Sequence, residues 1–294
     1  MKIPALLLSL ALFAPFSCAQ DATTPDATAP TLDETAPRLV ATIQNPQLTE
    51  LSGLAASRRY PGLLYAHNDS GDSARVFLLN QKGETVALIR LKNAYARDWE
   101  DIAVGADGVY IGDIGDNLGN RDAVQIYRFA EPDLDPLKLD QSVEVKAQVS
   151  AFRFPGAARD AETLLVAPNG KIQILSKEKG GSSLFGADFK SKKTRNLKRI
   201  GAKIKFGAVG IFTKLATGGD FSPDGRKLVV TTYAQIYEWQ LPAPFDTSKL
   251  SQPQIRALPG LRQCESVCYS ADGKQIFVSS EGKNAPLYAF LSAF

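Results

Sequence analysis

Hydrophobic and polar residues alternate in short segments from residue 38 to residue 294, and these segments recur in the same order. Each repeat starts near an acidic residue and continues through an apolar stretch to a turn that contains glycine. It ends in further stretches where β-branched or aromatic residues alternate with polar ones. A period of two is typical of strands, and no segment shows the helical period of about 3.6 residues. The repeats open at Glu50, Trp99, Ala161, Gly219 and Cys264.

The turns inside the repeats have the composition of tight β-hairpins, because Asn-Gly and Asp-Gly pairs supply the positive φ that two-residue turns need. They are Asp107-Gly108, Asn169-Gly170, Asp224-Gly225 and Asp272-Gly273, with Pro61-Gly62 in the first repeat. Second and third strands follow each turn. A fourth strand fits at residues 85–91, 144–154, 195–205 and 254–258.

Repeats of about 45–60 residues match the blades of a β-propeller. We therefore predict an all-β fold, a single propeller of five blades with four antiparallel strands each. The last repeat has no room for a fourth strand before Phe294, and residues 38–44 are predicted to supply it, so that the N-terminal strand closes the ring. Six blades remain an alternative if residues 204–214 contain a degenerate blade.

The N-terminal residues have the composition of a targeting segment. Residues 1–19 combine a basic start with an apolar run too short to span a bilayer, which predicts a signal peptide cleaved after Ala19. Acylation of Cys18 as a lipoprotein is the alternative. Residues 20–37 are rich in Asp, Ala, Thr and Pro, and they predict a disordered tether. The protein is thus expected to be periplasmic or secreted, without a transmembrane span, and residues 38–294 to form the propeller domain.

Composition excludes several classes of function. The net charge of +3 is too small for a dedicated nucleic-acid binder, and one His with three Cys leaves little for a zinc site. Cys264 and Cys268 would lie about 13 Å apart in an extended strand, which predicts two buried thiols and no disulfide.

The repeat places acidic residues at corresponding positions. In a blade, the start of the innermost strand and the end of the second strand share one face, so these residues should gather at one mouth of the central channel. Clustered carboxylates attract a cation, and hard oxygen donors with almost no His or Cys favour calcium or magnesium over zinc. Calcium is the expected cofactor. The alternative is that the acids cap turns and stay solvated. The predicted metal ligands are Glu50, Glu100, Asp101, Glu162, Asp220 and Glu265, and the predicted binding residues at the mouth are Asn68, Asp69, Asp113, Asp116, Asn117 and Glu281.

Two further features bear on chemistry. His67 is the single imidazole and lies beside these acids in the sequence, so it is a candidate general base, although a lone His is commonly structural. Residues 190–205 carry eight basic residues and no acid. On an outer strand such a run is typical of a solvated edge that discourages strand pairing, and attraction to an anionic envelope surface is the alternative.

Four segments carry a family resemblance: Glu50-Leu-Ser-Gly-Leu-Ala, Asn68-Asp69-Ser70-Gly71, Asp98-Trp99-Glu100-Asp101-Ile102-Ala103, and residues 110–117. Residues 50–132 resemble a group of exported bacterial β-propellers that includes SdiA-regulated and esterase-like phytase proteins. The phytase-like members imply calcium that bridges carboxylates to a phosphate ester and a metal-bound water that attacks phosphorus. Candidates to hold the phosphate, by position, are Arg97, Arg121, Lys177 and Lys283.

These observations predict an exported binding module with an acidic, calcium-binding mouth for a small molecule or an envelope partner. The chain is expected to act as a monomer and not to bind nucleic acid. A calcium-dependent phosphate-ester hydrolase is the alternative, and a scaffold with an unused mouth is a third reading. The binding module is preferred because no pair of nucleophile and base is recognisable.

Overall fold

The computed structural model describes residues 36–207, 210, 212–242 and 246–294. This part of the chain forms 22 strands and one short 3-10 helix at Phe212–Lys214. The predicted signal peptide and nearly all of the predicted tether lie outside the described residues. Within the described residues, no helix is both long and apolar enough to cross a membrane.

The strands form five sheets, and each sheet is one blade. A strand at Arg38–Thr42 (β1) precedes the first blade. Blade 1 begins with β2 (Leu51–Ala56), β3 (Leu64–Asn68), β4 (Arg75–Leu79) and β5 (Thr85–Leu91). Blade 2 contains β6 (Trp99–Gly105), β7 (Gly108–Asp113), β8 (Val124–Phe129) and, after β9 (Gln141–Val145), β10 (Gln148–Arg153).

The remaining blades repeat this order. Blade 3 contains β11 (Ala161–Val166), β12 (Lys171–Ser176), β13 (Ser182–Asp188) and, after β14 (Thr194–Asn196), β15 (Lys198–Ile204). Blade 4 contains β16 (Ala216–Phe221), β17 (Lys227–Thr232), β18 (Gln235–Gln240) and β19 (Gln254–Ala257). Blade 5 contains β20 (Cys264–Tyr269), β21 (Gln275–Ser280) and β22 (Pro286–Leu291).

The blades form a closed circle around their innermost strands. β2 contacts β6, β6 contacts β11, β11 contacts β16, β16 contacts β20, and β20 contacts β2. A cluster of buried hydrophobic side chains fills the space between each pair of neighbouring blades, including Phe277 of blade 5 against Phe77 of blade 1. The predicted five-bladed propeller is therefore confirmed. In the described part of residues 204–214, where a sixth blade was considered, only the end of β15 and the 3-10 helix are present.

Two blades have a fifth strand, which the sequence did not predict. β9 pairs in parallel with β5 of blade 1, and β14 pairs in parallel with β10 of blade 2. Each comes from the link between the third and fourth strands of the following blade. These two strands cover the outer edges of β5 and β10. This protects the blades, because an unpaired edge strand can associate with other chains.

β1 pairs antiparallel with β22, with Leu39 opposite Tyr288 and Thr42 opposite Pro286. Closure of the ring by this strand stays a prediction.

The two cysteines of the propeller, Cys264 and Cys268, are free and buried, as expected from their spacing along one strand.

Candidate functional site

Each innermost strand contains one extra residue at the same place. The pairing with the second strand skips one residue near the start of β2, β6, β11, β16 and β20, as in a β-bulge. All five skipped residues lie at the end of the sheet away from the hairpin turns, so they surround one opening of the channel. We call this opening the mouth. The skipped residues are Ser52, Glu100, Glu162, Thr217 and Glu265.

Three carboxylates come close together on one side of the mouth. Asp69 follows β3, Asp98 precedes β6, and Glu100 is the extra residue of β6; one oxygen of each lies within 4.8 Å of the others. The backbone of Gly115 packs directly against Glu100 and Asp98, and a Cβ there would overlap both carboxylates. We call Asp69, Asp98 and Glu100 the acidic triad.

The acidic triad is poorly compensated. Burial is the main cause that raises the pKa of Glu100 well above its ordinary value, and the charges of Glu162, Asp69 and Asp98 add to it. Burial, with the charges of Asp98 and Glu281, also raises the pKa of Asp69 to about 6. Among the described residues, no hydrogen bond is made to the carboxylate of Glu100, which is only 2% exposed. The electrostatics of this site therefore favour binding of a cation.

The opposite side of the mouth is already paired. Glu162 forms an ion pair with Lys177, whose ammonium lies 5.6 Å from the ring centre of Tyr233. The hydroxyl of Tyr233 donates a hydrogen bond of 3.1 Å to Glu265 Oε1. Burial raises the pKa of Glu162 to about 8 although Lys177 opposes this shift, and burial with the charges of Glu162 and Glu281 raises that of Glu265 to about 9.

Glu265→Gln is expected to change how stability depends on pH. The pKa of Glu265 is about 9 in the folded protein against 4.5 ordinarily, so unfolding releases a proton and the wild type loses stability as pH rises through this range. Glutamine does not titrate, and it keeps an oxygen for Tyr233. The difference in free energy of unfolding between the variant and the wild type should therefore shift in favour of the variant as pH rises towards 9, by up to about 1.4 kcal/mol per pH unit.

Urea denaturation of both proteins at several pH values measures this difference. Tyr233→Phe is the control, because it removes the hydrogen bond and keeps the carboxyl group, so it should retain the wild-type pH dependence. Parallel curves for the wild type and Glu265→Gln would show that the carboxyl group has an ordinary pKa.

Two predicted metal ligands have a structural role. Asp101 Oδ2 accepts a hydrogen bond of 2.8 Å from the backbone N–H of Leu164 in the next blade, and its Oδ1 accepts from Ile102 N. Asp220 Oδ2 accepts a bond of 2.9 Å from Tyr269 N. Asp220 pairs with Val229 and immediately precedes the last pair of β16 and β17, which is next to the hairpin turn. It therefore lies at the end of the strand opposite the mouth. The prediction that Asp220 joins the mouth acids is wrong, because Asp220 lies three residues beyond Thr217, the residue of β16 that corresponds to Glu100.

The other predicted residues divide between the rim and the loops. Glu50 is exposed and precedes β2; its charge contributes to the raised pKa of Asp69, so it lies at the rim. Glu281 accepts a bond of 2.8 Å from Gln263 Nε2 and lies near Glu265. Asn117 is exposed on the loop after β7.

Asn68, Asp113 and Asp116 hold loops in place. Asn68 Oδ1 accepts from the backbone N–H groups of Thr49 and Glu50. Asp113 is 2% exposed and forms an ion pair of 2.9 Å with Arg121. Asp116 accepts from the backbone N–H groups of Asn120 and Arg121. These three side chains are therefore engaged in holding loops and turns, as the alternative reading expected. Their contacts do not suggest a role in ligand binding.

His67 does not face the mouth. Its ring is fully buried against Gly53 and edge-on to Trp99, with 5.8 Å between ring centres. Its Nδ1 lies 2.8 Å from the carbonyl oxygen of Asn68, and burial lowers its pKa to about 4. This corrects the prediction of a general base, because a buried neutral imidazole cannot reach a substrate at the mouth.

The sequence analysis did not single out Asp98, a member of the acidic triad, or Asp160, whose charge adds to the raised pKa of Glu100 and of Glu162. Both lie two residues before a mouth glutamate, in Asp98-Trp99-Glu100 and Asp160-Ala161-Glu162. Glu50 has the same spacing from Ser52, so it corresponds to these aspartates and not to the glutamates. The recurring acid-x-acid spacing was the available signal.

The side chain of Arg58 lies at the other end of the channel. Its guanidinium donates to the carbonyl oxygen of Val104 at 3.1 Å and to that of Pro223 at 3.4 Å, and so it connects blades 1, 2 and 4.

No protein-family model matches the chain, and no curated protein matches it either. The resemblance described from the sequence thus stays a prediction, and function is argued from the geometry of the mouth.

Proposed function

We propose that this protein is an exported binding module whose mouth holds a divalent cation, calcium being the expected ion. The acidic triad carries this proposal: three carboxylates from two segments, the end of β3 and the start of β6, lie within 4.8 Å of one another, and the most buried of them, Glu100, accepts no hydrogen bond among the described residues. Calcium takes carboxylate ligands at flexible distances, and the open side of the mouth leaves positions for water or for a ligand. Export is inferred from the N-terminal sequence.

The bound cation would present a positive centre at the bottom of an acidic bowl. A small molecule with a carboxylate or phosphate group would then complete the coordination. The expected ligand is therefore a small polar molecule with at least one anionic group.

Hydrolysis of phosphate esters is the second candidate, and the contacts of its expected residues count against it. Arg121 is paired with Asp113, the side chains of both being 3% exposed, and Lys177 is paired with Glu162. Of the four side chains that the resemblance suggests for gripping phosphate, only Arg97 and Lys283 are exposed. A binding function is favoured because two of the basic side chains that would hold a phosphate group, Arg121 and Lys177, are already paired with carboxylates.

Calorimetric titration with calcium, followed by a phosphate-release assay on a model ester, tests the two candidates. We expect calcium to bind at one site per chain more tightly than magnesium, without release of phosphate. Calcium-dependent release of phosphate would favour the hydrolase. Absence of calcium binding in metal-stripped protein at pH 8, where Asp69 with its pKa of about 6 is ionised, would refute the proposal.

We further propose that β1 closes the ring by completing blade 5. Its pairing with β22 and the burial of Ile43 in the cluster between blades 5 and 1 support this. A chain that begins at residue 43 should be less stable by about 3 kcal/mol than one that begins at residue 36, because several backbone hydrogen bonds are lost. Thermal unfolding measures the difference, and equal melting temperatures would contradict it.

A further inference from the structure

A basic surface covers the outer side of blade 3. Residues 190–205 contain eight basic residues and no acid, and they form the link after β13, β14, β15 and the residue after it. Seven of these basic side chains are exposed, and Arg195 is half-buried. We call them the basic strip. It runs along the seven-residue strand β15, which is about 23 Å long.

The basic strip is almost free of ion pairs. Within the described residues, Lys203 is its one member with an acidic partner, Glu178, at 2.5 Å. The Nε of Arg195 is buried and has no hydrogen-bond partner. The basic side chains of the strip repel one another, and a bound polyanion would remove this electrostatic repulsion.

A groove lies beside the strip, between β14 on blade 2 and the strands of blade 3. Its volume is about 340 Å³. Lys171, Arg195 and Lys198 line it together with one carboxylate, Asp188. The amides of Gln173 and Asn196 also line it. The groove thus combines an excess of positive charge with neutral hydrogen-bonding groups.

Protection of an exposed edge does not account for these charges. Residues 246–249 of blade 4 already lie against β15: a Cβ on Gly201 would come within 2.9 Å of the backbone of Ser248. The side chain of Thr247 donates to Gln173 at 3.1 Å. Because chain from blade 4 already lies against the middle of β15, strand pairing there is obstructed without the lysines.

We propose that the basic strip and its groove bind a linear anionic polysaccharide. Carboxylate, sulfate or phosphate groups along such a chain match the lysines and arginines, and sugar hydroxyls match the amides of Gln173 and Asn196. No large hydrophobic side chain of residues 186–205 is among the exposed ones, so the strip lacks the apolar anchors typical of membrane-surface binding. Phe189 is half-buried under Arg128, 4.6 Å from its ring centre, so it is not a platform for stacking nucleic-acid bases.

Binding of heparin, as a model anionic polysaccharide, to the full chain tests this proposal. The measurement is made with a calcium chelator present, so that it does not depend on the mouth. The variant Lys171→Gln/Arg195→Gln/Lys198→Gln should weaken binding about tenfold at about 50 mM NaCl and reduce the slope of log affinity against log salt by about two to three. Lys171→Gln/Lys198→Gln, which changes only exposed residues, serves if the triple variant does not fold.

The matched control is Lys82→Gln/Lys146→Gln/Lys274→Gln, which removes the same charge from exposed lysines on other blades. It should bind heparin within about twofold of the wild type, as expected for distant independent sites. An equal loss of affinity in the control would show that only net charge matters and would overturn the proposal. Tighter binding to duplex DNA or to anionic vesicles than to heparin, or no binding to heparin, would also overturn it.

Discussion

Replacing Glu100 by glutamine is expected to abolish calcium binding and to stabilise the calcium-free protein. Glu100 is 2% exposed and lies beside Asp69 and Asp98, so its removal takes away one cation ligand and relieves repulsion among three carboxylates. We expect calcium affinity to fall by at least about 100-fold, which corresponds to about 3 kcal/mol. The melting temperature without calcium should rise because the remaining carboxylates ionise more easily.

Thermal unfolding with and without calcium measures both effects. At a calcium concentration about 100 times the dissociation constant, the wild type should gain about 2.7 kcal/mol. For a domain of this size that is a rise of about 5–10 °C in melting temperature. Glu100→Gln should show no rise. Glu144→Gln, an exposed carboxylate on β9, is the matched control and should respond to calcium like the wild type. Calcium binding to Glu100→Gln with wild-type affinity would exclude the acidic triad as the site.

Replacing the neighbouring Asp101 by alanine is expected to have the opposite effect. The carboxylate of Asp101 accepts hydrogen bonds from Ile102 N and, across the blade boundary, from Leu164 N. Alanine leaves both buried donors without a partner and leaves a cavity, at a cost of about 3 kcal/mol. This should lower the melting temperature by about 6–12 °C. Calcium affinity should change by less than about threefold, because the carboxylate of Asp101 is held by Leu164 N and Ile102 N and is not part of the acidic triad.

Asp101→Asn is the control for Asp101→Ala. It preserves the size of the side chain and one carbonyl acceptor, so it should lose at most about half as much stability. Calorimetry on both variants separates the two roles of this residue. If Asp101→Ala kept its stability and lost calcium, Asp101 would be a metal ligand, as the sequence first suggested.

The repeat explains how far the sequence could lead. Turn pairs such as Asp224-Gly225 and the alternation after them predicted the inner strands of all five blades, because these signals are local. They did not predict β9 and β14, which pair with strands of the preceding blade. Three mouth glutamates were also predicted, since Glu100, Glu162 and Glu265 occupy one position of the repeat. Asp220 was assigned to the same position, but the skipped residue of β16 is Thr217, which carries no charge.

The sequence by itself determined the fold class and favoured five blades over six, and it placed Glu100, Glu162 and Glu265 at one end of the channel, because hairpin turns and period-two alternation depend on neighbouring residues. Only the tertiary structure decided which acids face one another. Asp69, Asp98 and Glu100 meet through a contact between blades 1 and 2, whereas the carboxylates of Asp101 and Asp220 turn to backbone N–H groups of other blades. The same holds for the groove beside blade 3, because β14 leaves its own blade to pair with β10. Such contacts join residues far apart in the chain, and no local pattern encodes their distances.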